Sequence, residues 1–277
     1  MIKCIIHCSD IHIRNYQRLV EYSEVLSDFI ARCKEIASAY DKEEVRIVIA
    51  GDLVHQKNTV SNELMFFTSN FIRELSGIAK VIIIAGNHDY LSSNENRLDT
   101  LSGLFATAQF ENAEFLDSIT EYKSGCIKDQ NVIWALYSTY DGFIRPDIES
   151  AKDGDENCKV IGLFHGDLVG ATLYNGYVMD SGVNASIFNG CDVVMAGHIH
   201  KRQVIEKGGV KIVYGGSLIQ QNFGESVSNH GFVEWTIDDN NVISEKLHEL
   251  ESNYSMYNIE VNSLDEIDED KERLINF

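Results

Sequence analysis

The most constraining feature of this 277-residue chain is a series of short runs rich in Ile and Val, each followed at once by a polar cluster that contains Asp, Asn or His. The first three runs cover residues 2–8, 46–50 and 80–85. Short β-branched runs of this kind are typical of strands buried on both faces of a sheet. The polar clusters therefore follow the carboxyl ends of the predicted strands, where open α/β sheets bind their ligands.

Amphipathic helical patterns separate these predicted strands. Leu26, Phe29, Ile30, Cys33 and Ile36 recur at steps of three and four residues, which places them on one apolar stripe of a helix. Strands that alternate with such helices predict an α/β protein with a βαβαβ core and a parallel sheet.

Strand-like runs return in the second half of the chain, at residues 131–137, 159–164 and 192–196. Two hairpins are predicted, one at Gly208-Gly209 and one at Asn240-Asn241, because paired glycines and asparagines readily adopt the conformations of tight turns. We therefore expect the second half to be more antiparallel than the first.

The net charge of −20 is unusual for a protein that handles a polyanion, since nucleic-acid-binding proteins usually carry a basic footprint. Part of this charge is local, because residues 238–277 contain twelve acidic and three basic side chains. We therefore predict one domain over residues 1–238 and an acidic C-terminal segment over residues 239–277. That segment is expected to begin a small capping domain that stays incomplete.

Cysteine usage and hydropathy predict the cellular setting. The six cysteines are scattered and form no C-x-x-C pair, which favours reduced thiols in the cytoplasm over disulfides or a zinc site. No apolar run approaches the ~20 residues needed to cross a bilayer. We therefore expect a cytoplasmic protein with no membrane association.

The polar clusters supply each kind of side chain that a pair of divalent cations needs. A carboxylate can bridge two ions, while imidazole and amide groups fill the outer positions. One cluster alone is better explained as a hydrogen-bonded surface Asp and His, but five clusters at five strand ends predict a metal site. The expected ligands are Asp10, His12, Asp52, Asn87, His165, His198 and His200.

The ordered motifs D-x-H, G-D-x-x-H, G-N-H-D, H and G-H-x-H resemble those of the calcineurin-like metallophosphoesterases over roughly residues 3–235. The resemblance implies a metallophosphoesterase β-sandwich flanked by helices. It implies a first metal ion held by Asp10, His12, Asp52 and His200. It implies a second metal ion held by Asp52, Asn87, His165 and His198, so that Asp52 is the bridge.

A closer resemblance is to the SbcD-like DNA-repair nucleases of bacteria and phages. It rests on His55, which closes the sequence Gly-Asp-Leu-Val-His, and on the segment Tyr214–Glu225. This resemblance implies that two Mn²⁺ ions activate a water for in-line attack on DNA phosphodiesters. It also implies an SbcC-like coiled-coil ATPase as partner, although the ligand set would accept iron, zinc or cobalt as well.

Two further histidines are predicted to act on the substrate. The resemblance implies that His88 stabilises the transition state or protonates the leaving oxygen; the alternative is a structural histidine bonded to Asp52 or Asp89. His55 is expected to contact the DNA backbone or to steer the substrate, or else to support its loop. A local basic rim is also predicted, with scattered solvated charges as the alternative. The expected substrate contacts are Arg14, Lys57, Lys201, Arg202 and Ser217.

The second helical stretch predicts an oligomer. Residues 61–76 are apolar over more than half of the helix circumference, and residues 101–108 offer a similar face. We expect these two segments to form a homodimer contact, the alternative being that they are buried within their own domain.

Two other functions remain open at this stage. A phosphatase or small-molecule phosphodiesterase of the same superfamily would use the same ligands, although protein phosphatases usually have Gly-Asp-x-x-Asp-Arg-Gly and Gly-Asn-His-Glu, which this chain lacks. A non-catalytic scaffold is less favoured, because every expected ligand is present. Nucleases of the resembled branch usually continue into a DNA-capping domain and a helical segment that binds the ATPase, whereas only about 40 residues follow here.

Overall fold

The structure is a computed structural model, and it describes residues 1–57, 59–91, 97–155 and 157–257. The helices within these ranges are α1 (Leu19–Ala37), α2 (Asn62–Ile78), α3 (Thr100–Ala108), α4 (Leu116–Ile119) and α5 (Ile148–Lys152). The strands are β1 (Cys4–Cys8), β2 (Val45–Ala50), β3 (Lys80–Ile84), β4 (Ala113–Phe115), β5 (Gly125–Asp129), β6 (Val132–Tyr137), β7 (Lys159–His165), β8 (Val193–Gly197), β9 (Gln203–Lys207), β10 (Val210–Tyr214), β11 (Gly231–Ile237) and β12 (Ile243–Glu249).

The strands form two six-stranded sheets. The first has the order β12-β11-β1-β2-β3-β4, and the second has the order β5-β6-β7-β8-β10-β9. Strands β1 to β4 are mutually parallel, which confirms the predicted βαβαβ core, while β11 and β12 add antiparallel strands at one edge. The expected β-sandwich flanked by helices is therefore present.

The second sheet contains both parallel and antiparallel pairs of strands. Its central strands β6, β7, β8 and β10 are parallel, and only β5 and β9 at its edges run antiparallel. The second half of the chain therefore contains antiparallel pairs that β1 to β4 lack among themselves, which confirms that it is more antiparallel than the first half. The two predicted hairpins do form, but they contribute edge strands, whereas the fully buried runs of β6 and β8 behave as central parallel strands.

The two sheets pack face to face around one apolar core. Side chains at every second position of a strand share a face, so Ile5, Val48 and Ile82 of the first sheet meet Trp134 and Leu163 of the second. All five are buried. This core fixes the distance between the sheets and brings their carboxyl ends to the same end of the sandwich.

Helices α1, α2 and α3 cover the outer face of the first sheet. Most of the apolar residues behind the dimer prediction are buried in the chain's own core, namely Leu64, Phe71, Ile72, Leu75, Leu101 and Leu104. Phe66 on α2 is 70% exposed. The alternative of a helix buried within its own domain thus accounts for most of this surface, and the homodimer stays a prediction.

The C-terminal part of the described chain joins the first sheet. β12 pairs with β11 from Gly231 opposite Glu249 to Ile237 opposite Ile243, so the boundary predicted after residue 238 falls in their hairpin turn. β12 belongs to the sheet and not to a separate segment because its alternating burial pattern suits an edge strand with one solvated face. The predicted cap beyond residue 257 lies outside the described residues.

No helix in the described part of the chain combines the length and apolar character needed to cross a membrane.

Candidate metal centre

All seven expected ligands lie at the carboxyl ends of strands. Asp10 and His12 follow β1, Asp52 follows β2 and Asn87 follows β3. His165 is the last residue of β7, and His198 and His200 follow β8. The strands that carry these residues are parallel within each sheet, and the two sheets are packed together. Residues as distant in sequence as Asp10 and His198 therefore meet. The His198 backbone N–H donates to the Asp10 carboxylate at 2.9 Å.

Several of these residues have a left-handed backbone conformation. The φ angles are 52° at Asp10 and His12, 53° at Asp52 and 97° at His198. A non-glycine residue with positive φ is uncommon and concentrates at functional sites, where the surrounding structure must hold it. The backbone therefore turns sharply directly after the strands, where these side chains meet at one end of the sandwich.

Glycines allow the loops to approach each other closely. A Cβ at Gly86 would overlap the Asp52 carboxylate, and a Cβ at Gly51, whose φ is 87°, would overlap the His165 ring. Only a residue without a side chain fits at either position. The glycines of the G-D-x-x-H and G-N-H-D motifs are thus required by the packing of the site itself.

The first cluster of the site consists of Asp10, His12 and His200. The two Nε2 atoms of His12 and His200 are 3.0 Å apart, and His200 Nε2 lies 3.9 Å from an Asp10 oxygen. One nitrogen or oxygen of each of the three residues lies within 4.8 Å of the others. Their atoms converge on a common point.

The second cluster consists of Asn87, His165 and His198. The Asn87 side-chain oxygen lies 2.8 Å from His198 Nδ1 and 3.2 Å from His165 Nε2. The neutral amide oxygen is an acceptor, which suits either a ring N–H or a cation at this point. His198 contributes Nδ1 here, whereas His165 contributes Nε2.

Asp52 joins the two clusters through one carboxylate oxygen. Its Oδ2 lies 3.4 Å from His12 Nε2 in the first cluster and 3.3 Å from His165 Nε2 in the second. Oxygens and nitrogens that occupy neighbouring corners around a small divalent cation lie ~3 Å apart. The spacing within both clusters therefore fits two ions that share Asp52.

Hydrogen bonds at the outer ring nitrogens support this fit. His165 Nδ1 lies 2.7 Å from the Ala50 carbonyl oxygen, which can only accept a hydrogen bond. Nδ1 must therefore carry a proton, and Nε2 is the nitrogen that faces the site and can bind an ion once it is deprotonated. This arrangement is typical of metal-binding histidines.

The electrostatics of the site favour positive charge. Burial disfavours the ionised form of Asp52, but the charges and hydrogen bonds of His165 and His12 outweigh it and lower the pKa of Asp52. Burial likewise opposes a charged His165, but Asp52 outweighs it and raises the pKa of His165 to about 9. Burial lowers the pKa of His12. The negative charge that retains a proton on His165 can equally retain a cation.

His88 and His55 lie beside the first cluster. The His88 and His12 ring centroids are 4.7 Å apart, and the His88 ring stacks on His55 at 5.0 Å. His88 Nδ1 donates to the His55 carbonyl at 2.8 Å, while its backbone N–H donates to Asp52 at 2.7 Å. The His88 side chain thus bonds neither Asp52 nor Asp89. Burial is the main cause that lowers the pKa of His55 to about 4.

Asp89 supports the site from behind and was not predicted to do so. Its carboxylate accepts hydrogen bonds from the backbone N–H groups of Asp52, Gly86 and Val54, at 2.8, 2.8 and 3.2 Å. Burial and the nearby Asp52 charge raise the pKa of Asp89 to about 7. Its place directly after Asn-His was visible in the sequence, but its role depends on loops that meet only in the fold.

The predicted substrate contacts lie in different surroundings. Arg14 is half-buried, and its guanidinium donates to Gln221 at 3.3 Å while its charge acts on His55. Lys57 is half-buried, and Lys201 Nζ lies 3.4 Å from the Leu173 carbonyl beside His200. These three basic side chains lie on the loops around the clusters, and their contact with a substrate stays a prediction.

Arg202 and Ser217 have structural partners. The Arg202 guanidinium donates to the His248 carbonyl at 2.6 Å, so it connects the loop after β8 to β12. Ser217 is fully buried, and its hydroxyl lies 3.0 Å from His230 Nδ1. A side chain without exposed surface cannot touch a substrate in this conformation, so the burial of Ser217 does not favour its predicted role.

Two further carboxylates contact the histidines of the G-H-x-H motif. Glu225 lies 2.7 Å from His200 Nδ1, and Asp167 lies 3.1 Å from His198 Nε2. Sequence reasoning assigned a role to neither residue. Asp167 follows His165 by two positions, and Glu225 closes the segment that begins at Tyr214, so each stood near a recognised motif without a pattern that revealed its partner.

Two shallow pockets flank His198. One, of about 340 Å³, includes Tyr174, His200 and Lys201, and the other, of about 240 Å³, includes Asn87 and Phe143. Larger depressions of about 590 and 690 Å³ lie among residues such as Lys159 and Asn131, and neither includes a member of the two clusters. We assign the chemistry to the shallow pockets, because reactive groups and not volume define the site.

A sequence profile of the calcineurin-like phosphoesterase family matches residues 5–202 of this chain. This range covers more than half of the sequence. The chain therefore belongs to the calcineurin-like phosphoesterase family, and its two clusters contain side chains that can hold divalent cations.

Viral proteins are among its relatives. An uncharacterised protein of Acanthamoeba polyphaga mimivirus, R555, is 35% identical over 266 residues, which cover 94% of this chain but 19% of the mimivirus protein. A protein of Invertebrate iridescent virus 6 named as a phosphoesterase, 244L, is 27% identical over 229 residues, covering 80% of this chain and 74% of that protein. The chain thus spans about one fifth of the longer relative.

Solved structures share the fold at low sequence identity. A Staphylococcus aureus protein described as a 5'-nucleotidase has a TM-score of 0.53 at 14% identity, covering 99% of this chain and 58% of that one. GAP50, the anchor in the inner membrane complex of Plasmodium, has a TM-score of 0.54 at 10% identity, with 92% and 90% covered. At these identities the likeness concerns the fold alone.

Proposed function

We propose that this chain is a two-metal DNA nuclease that hydrolyses phosphodiester bonds, of the kind found as the SbcD-like subunit of DNA repair and recombination complexes. The observation that carries the hydrolytic part is the convergence of two clusters on the single oxygen Asp52 Oδ2. Two cations that share one carboxylate are suited to the in-line displacement of an alcohol from phosphorus.

In this proposal the seven expected ligands hold two divalent cations, and Mn²⁺ is the expected metal. The ions would neutralise the non-bridging phosphate oxygens and lower the pKa of the attacking water. The ligands also fix the orientation of the site, because the His165 ring is bonded to Ala50 and the Asp52 backbone to Asp89. The chain therefore supplies a preorganised environment and forms no covalent bond to the substrate.

His88 is the proposed acid for the leaving oxygen. Its Nδ1–H donates to the His55 carbonyl, which leaves Nε2 as the nitrogen able to hold and deliver a second proton. The same carbonyl stabilises the protonated ring by accepting the hydrogen bond from Nδ1–H. Arg14, whose charge reaches His55, is proposed to attract the phosphate next to the bond that is cleaved.

DNA as substrate is supported by the motif around His55 and by the openness of the site. The side chains of His198 and His200 are 29% and 23% exposed, so an extended polymer can reach the clusters without entering a closed cavity. An SbcC-like ATPase partner and a homodimer are proposed from the resemblance and from the exposed Phe66. All six cysteines are free, which supports the proposed cytoplasmic setting.

A small-molecule phosphodiesterase or phosphatase is the second candidate. It is favoured by the net charge of −20, which repels a polyanion, and by the two shallow pockets beside His198. The smaller pocket, of about 240 Å³, lies next to Phe143. Both candidates use the same clusters, so only the choice of substrate separates them.

The test is Mn²⁺-dependent cleavage of end-labelled single- and double-stranded DNA, measured beside a generic phosphate monoester and a generic diester. Asp52→Ala removes the shared oxygen and should abolish every activity. Glu35→Ala, which changes an exposed residue of α1, is the matched control and should keep full activity. The nuclease proposal is supported if the wild type cleaves DNA and Asp52→Ala does not. If the wild type turns over the small esters alone, the second candidate replaces the nuclease.

A further inference from the structure

Glu225 holds the outer nitrogen of a first-cluster histidine. Its Oε1 lies 2.7 Å from His200 Nδ1, and the Glu225 side chain is only 4% exposed. An ionised carboxylate can only accept hydrogen bonds, so His200 Nδ1 must carry a proton. The electron pair of His200 Nε2 is then directed at His12 and Asp10, in the first cluster.

The surroundings of Glu225 require an acceptor at both oxygens. Oε2 accepts the backbone N–H of Gln221 at 2.8 Å, and Oε1 also accepts the side-chain amide of Asn222 at 2.6 Å. With His200, three donors therefore point at this one carboxylate. A glutamine here would turn an amide N–H towards at least one donor and leave that donor without its partner.

The loop that carries Glu225 is itself held in place. The Gln220 side chain donates to the Glu225 carbonyl at 3.1 Å and exchanges two hydrogen bonds with the Met256 backbone, at 3.0 and 2.7 Å. The Arg18 guanidinium donates to the Gln220 carbonyl at 2.7 Å. The position of Glu225 is thus set by two distant parts of the chain, so the carboxylate is in place before any ion binds.

The second cluster has a weaker version of the same contact. His198 Nε2 lies 3.1 Å from Asp167, but the Asp167 side chain is 44% exposed. Water competes for an exposed carboxylate, so its hold on the ring is worth less than that of a buried one. The two clusters therefore differ in how firmly their histidines are oriented.

We propose that Glu225 is a positioning residue for the first metal position, which fixes the tautomer and orientation of His200 and so raises the affinity of that position, whereas Asp167 contributes little to the second. This inference rests on the two-metal site of the proposed function. It concerns binding of the ions and not the identity of the substrate.

The experiment is a calorimetric Mn²⁺ titration of the metal-free full chain, combined with electron paramagnetic resonance of the loaded protein. The wild type should bind two ions and show the signal of a spin-coupled pair. In Glu225→Gln one of the two affinities should fall ~10–100-fold, the range usual for lost partners of ligand histidines. At Mn²⁺ levels that saturate the wild type, this variant should show the signal of an isolated ion.

Two variants serve as comparisons. Asp167→Asn should change neither affinity by more than about 3-fold, because water already shares its contact. Glu234→Gln is the matched control, since Glu234 pairs with His248 at 2.6 Å away from the clusters and should leave metal binding unchanged. Glu225→Asp retains the charge and should lie between the wild type and Glu225→Gln, which gives a folded comparison where the latter does not fold.

The assignment of Glu225 would be overturned if folded Glu225→Gln bound both ions with wild-type affinity. If Glu225→Gln does not fold, the same result in Glu225→Asp would overturn it. An equal loss in Asp167→Asn would overturn the difference between the two positions. A further outcome is that the wild type binds two ions and Glu225→Gln loses one, while the Mn²⁺-loaded wild type leaves DNA uncut in the cleavage assay. In that case the nuclease proposal fails and the role of Glu225 stands.

Discussion

At the scale of single residues, Asp52 shows how position gives a common side chain its chemistry. One of its oxygens lies between the two clusters, and the other accepts the His88 backbone N–H at 2.7 Å. Its own backbone N–H is held by Asp89 at 2.8 Å. The carboxylate therefore has little freedom to rotate, and it presents Oδ2 to both metal positions at once.

Replacing His88 tests whether this ring takes part in the reaction. His88→Asn keeps the backbone hydrogen bond to Asp52 but removes the ring that can deliver a proton. We expect Mn²⁺ content to persist while turnover falls by roughly 10²–10⁴-fold, the range usual for general acids. His248→Asn, in a histidine bonded to Glu234 outside the clusters, is the control and should keep its turnover. Full activity of His88→Asn would remove its proposed role.

A methyl group at Gly86 should destroy the site without a change of charge. The new Cβ would overlap Oδ1 of the Asp52 carboxylate and the Asp52 backbone nitrogen, so the whole carboxylate must shift. We expect Gly86→Ala to lose at least one bound Mn²⁺, measured by elemental analysis after gel filtration. Gly77→Ala is the matched control, because nothing lies within 4 Å of that position in α2. Wild-type metal content in Gly86→Ala would contradict the close approach of the two loops.

Metal binding should release protons from His165. The pKa of this ring is raised to about 9 in the metal-free protein, so the ring is protonated at pH 7 and must lose a proton before Nε2 can bind an ion. We expect about one proton released per protein from this ring, and an affinity that rises from pH 7 to pH 9. Calorimetry in buffers of different ionisation enthalpy measures this number. A value of zero at pH 7 would contradict His165 as a ligand.

At the scale of elements, the site depends on short contacts between the ends of strands and helices. Asp117 in α4 is an example, because its carboxylate accepts the Ala85 backbone N–H at 2.8 Å and the Ser138 hydroxyl at 2.5 Å. It thereby connects the end of β3, which leads to Gly86 and Asn87, with the end of β6. The loop that supplies the amide ligand is positioned by this connection.

The connection at Asp117 should make stability depend on pH. Burial raises the pKa of Asp117 to about 6, above the ~3.9 of an unfolded Asp. The folded state therefore holds the proton more tightly, and the stabilisation is complete below pH ~4 and lost as pH rises through 6. Relative to Asp117→Asn, the wild type should lose about 2 kcal/mol of unfolding free energy between pH 4 and pH 7. Denaturant titrations measure this difference, and parallel curves would refute it.

At the scale of the whole molecule, two sheets share the work of the site. The first sheet supplies Asp10, His12, Asp52 and Asn87, and the second supplies His165, His198 and His200. Neither half contains a complete cluster, because each cluster takes ligands from both sheets. Metal binding should therefore report on the packing of the entire sandwich.

The exposed Phe66 allows a test of the predicted homodimer. If α2 forms the contact, light scattering should give twice the mass of the chain at micromolar concentration. Phe66→Glu should then produce a monomer, since a charge cannot be buried unpaired in an apolar interface. Val242→Glu, at an exposed apolar residue of the β11–β12 turn, is the control and should stay dimeric. A wild type that is monomeric at this concentration would remove the prediction.

The features that could be predicted from the amino-acid sequence are those that one local stretch of chain encodes. Buried strands appear as runs of Ile and Val, and ligands such as Asp10 and His165 appear as polar residues at their ends, because one stretch of chain contains the whole pattern. The buried strands, the parallel βαβαβ core of the first sheet and the seven residues that meet in the site all follow from it.

The distant residues that support these ligands, and the strand order of the second sheet, became visible in the folded structure alone. Glu225 on His200, Asp89 under Asp52 and Asp117 beneath Ala85 each join segments whose positions depend on the packing of both sheets. An acidic residue in a loop carries no local mark of its partner. Such roles arise from contacts between distant segments of the sandwich. These contacts form when the core packs, so no local sequence pattern predicts them.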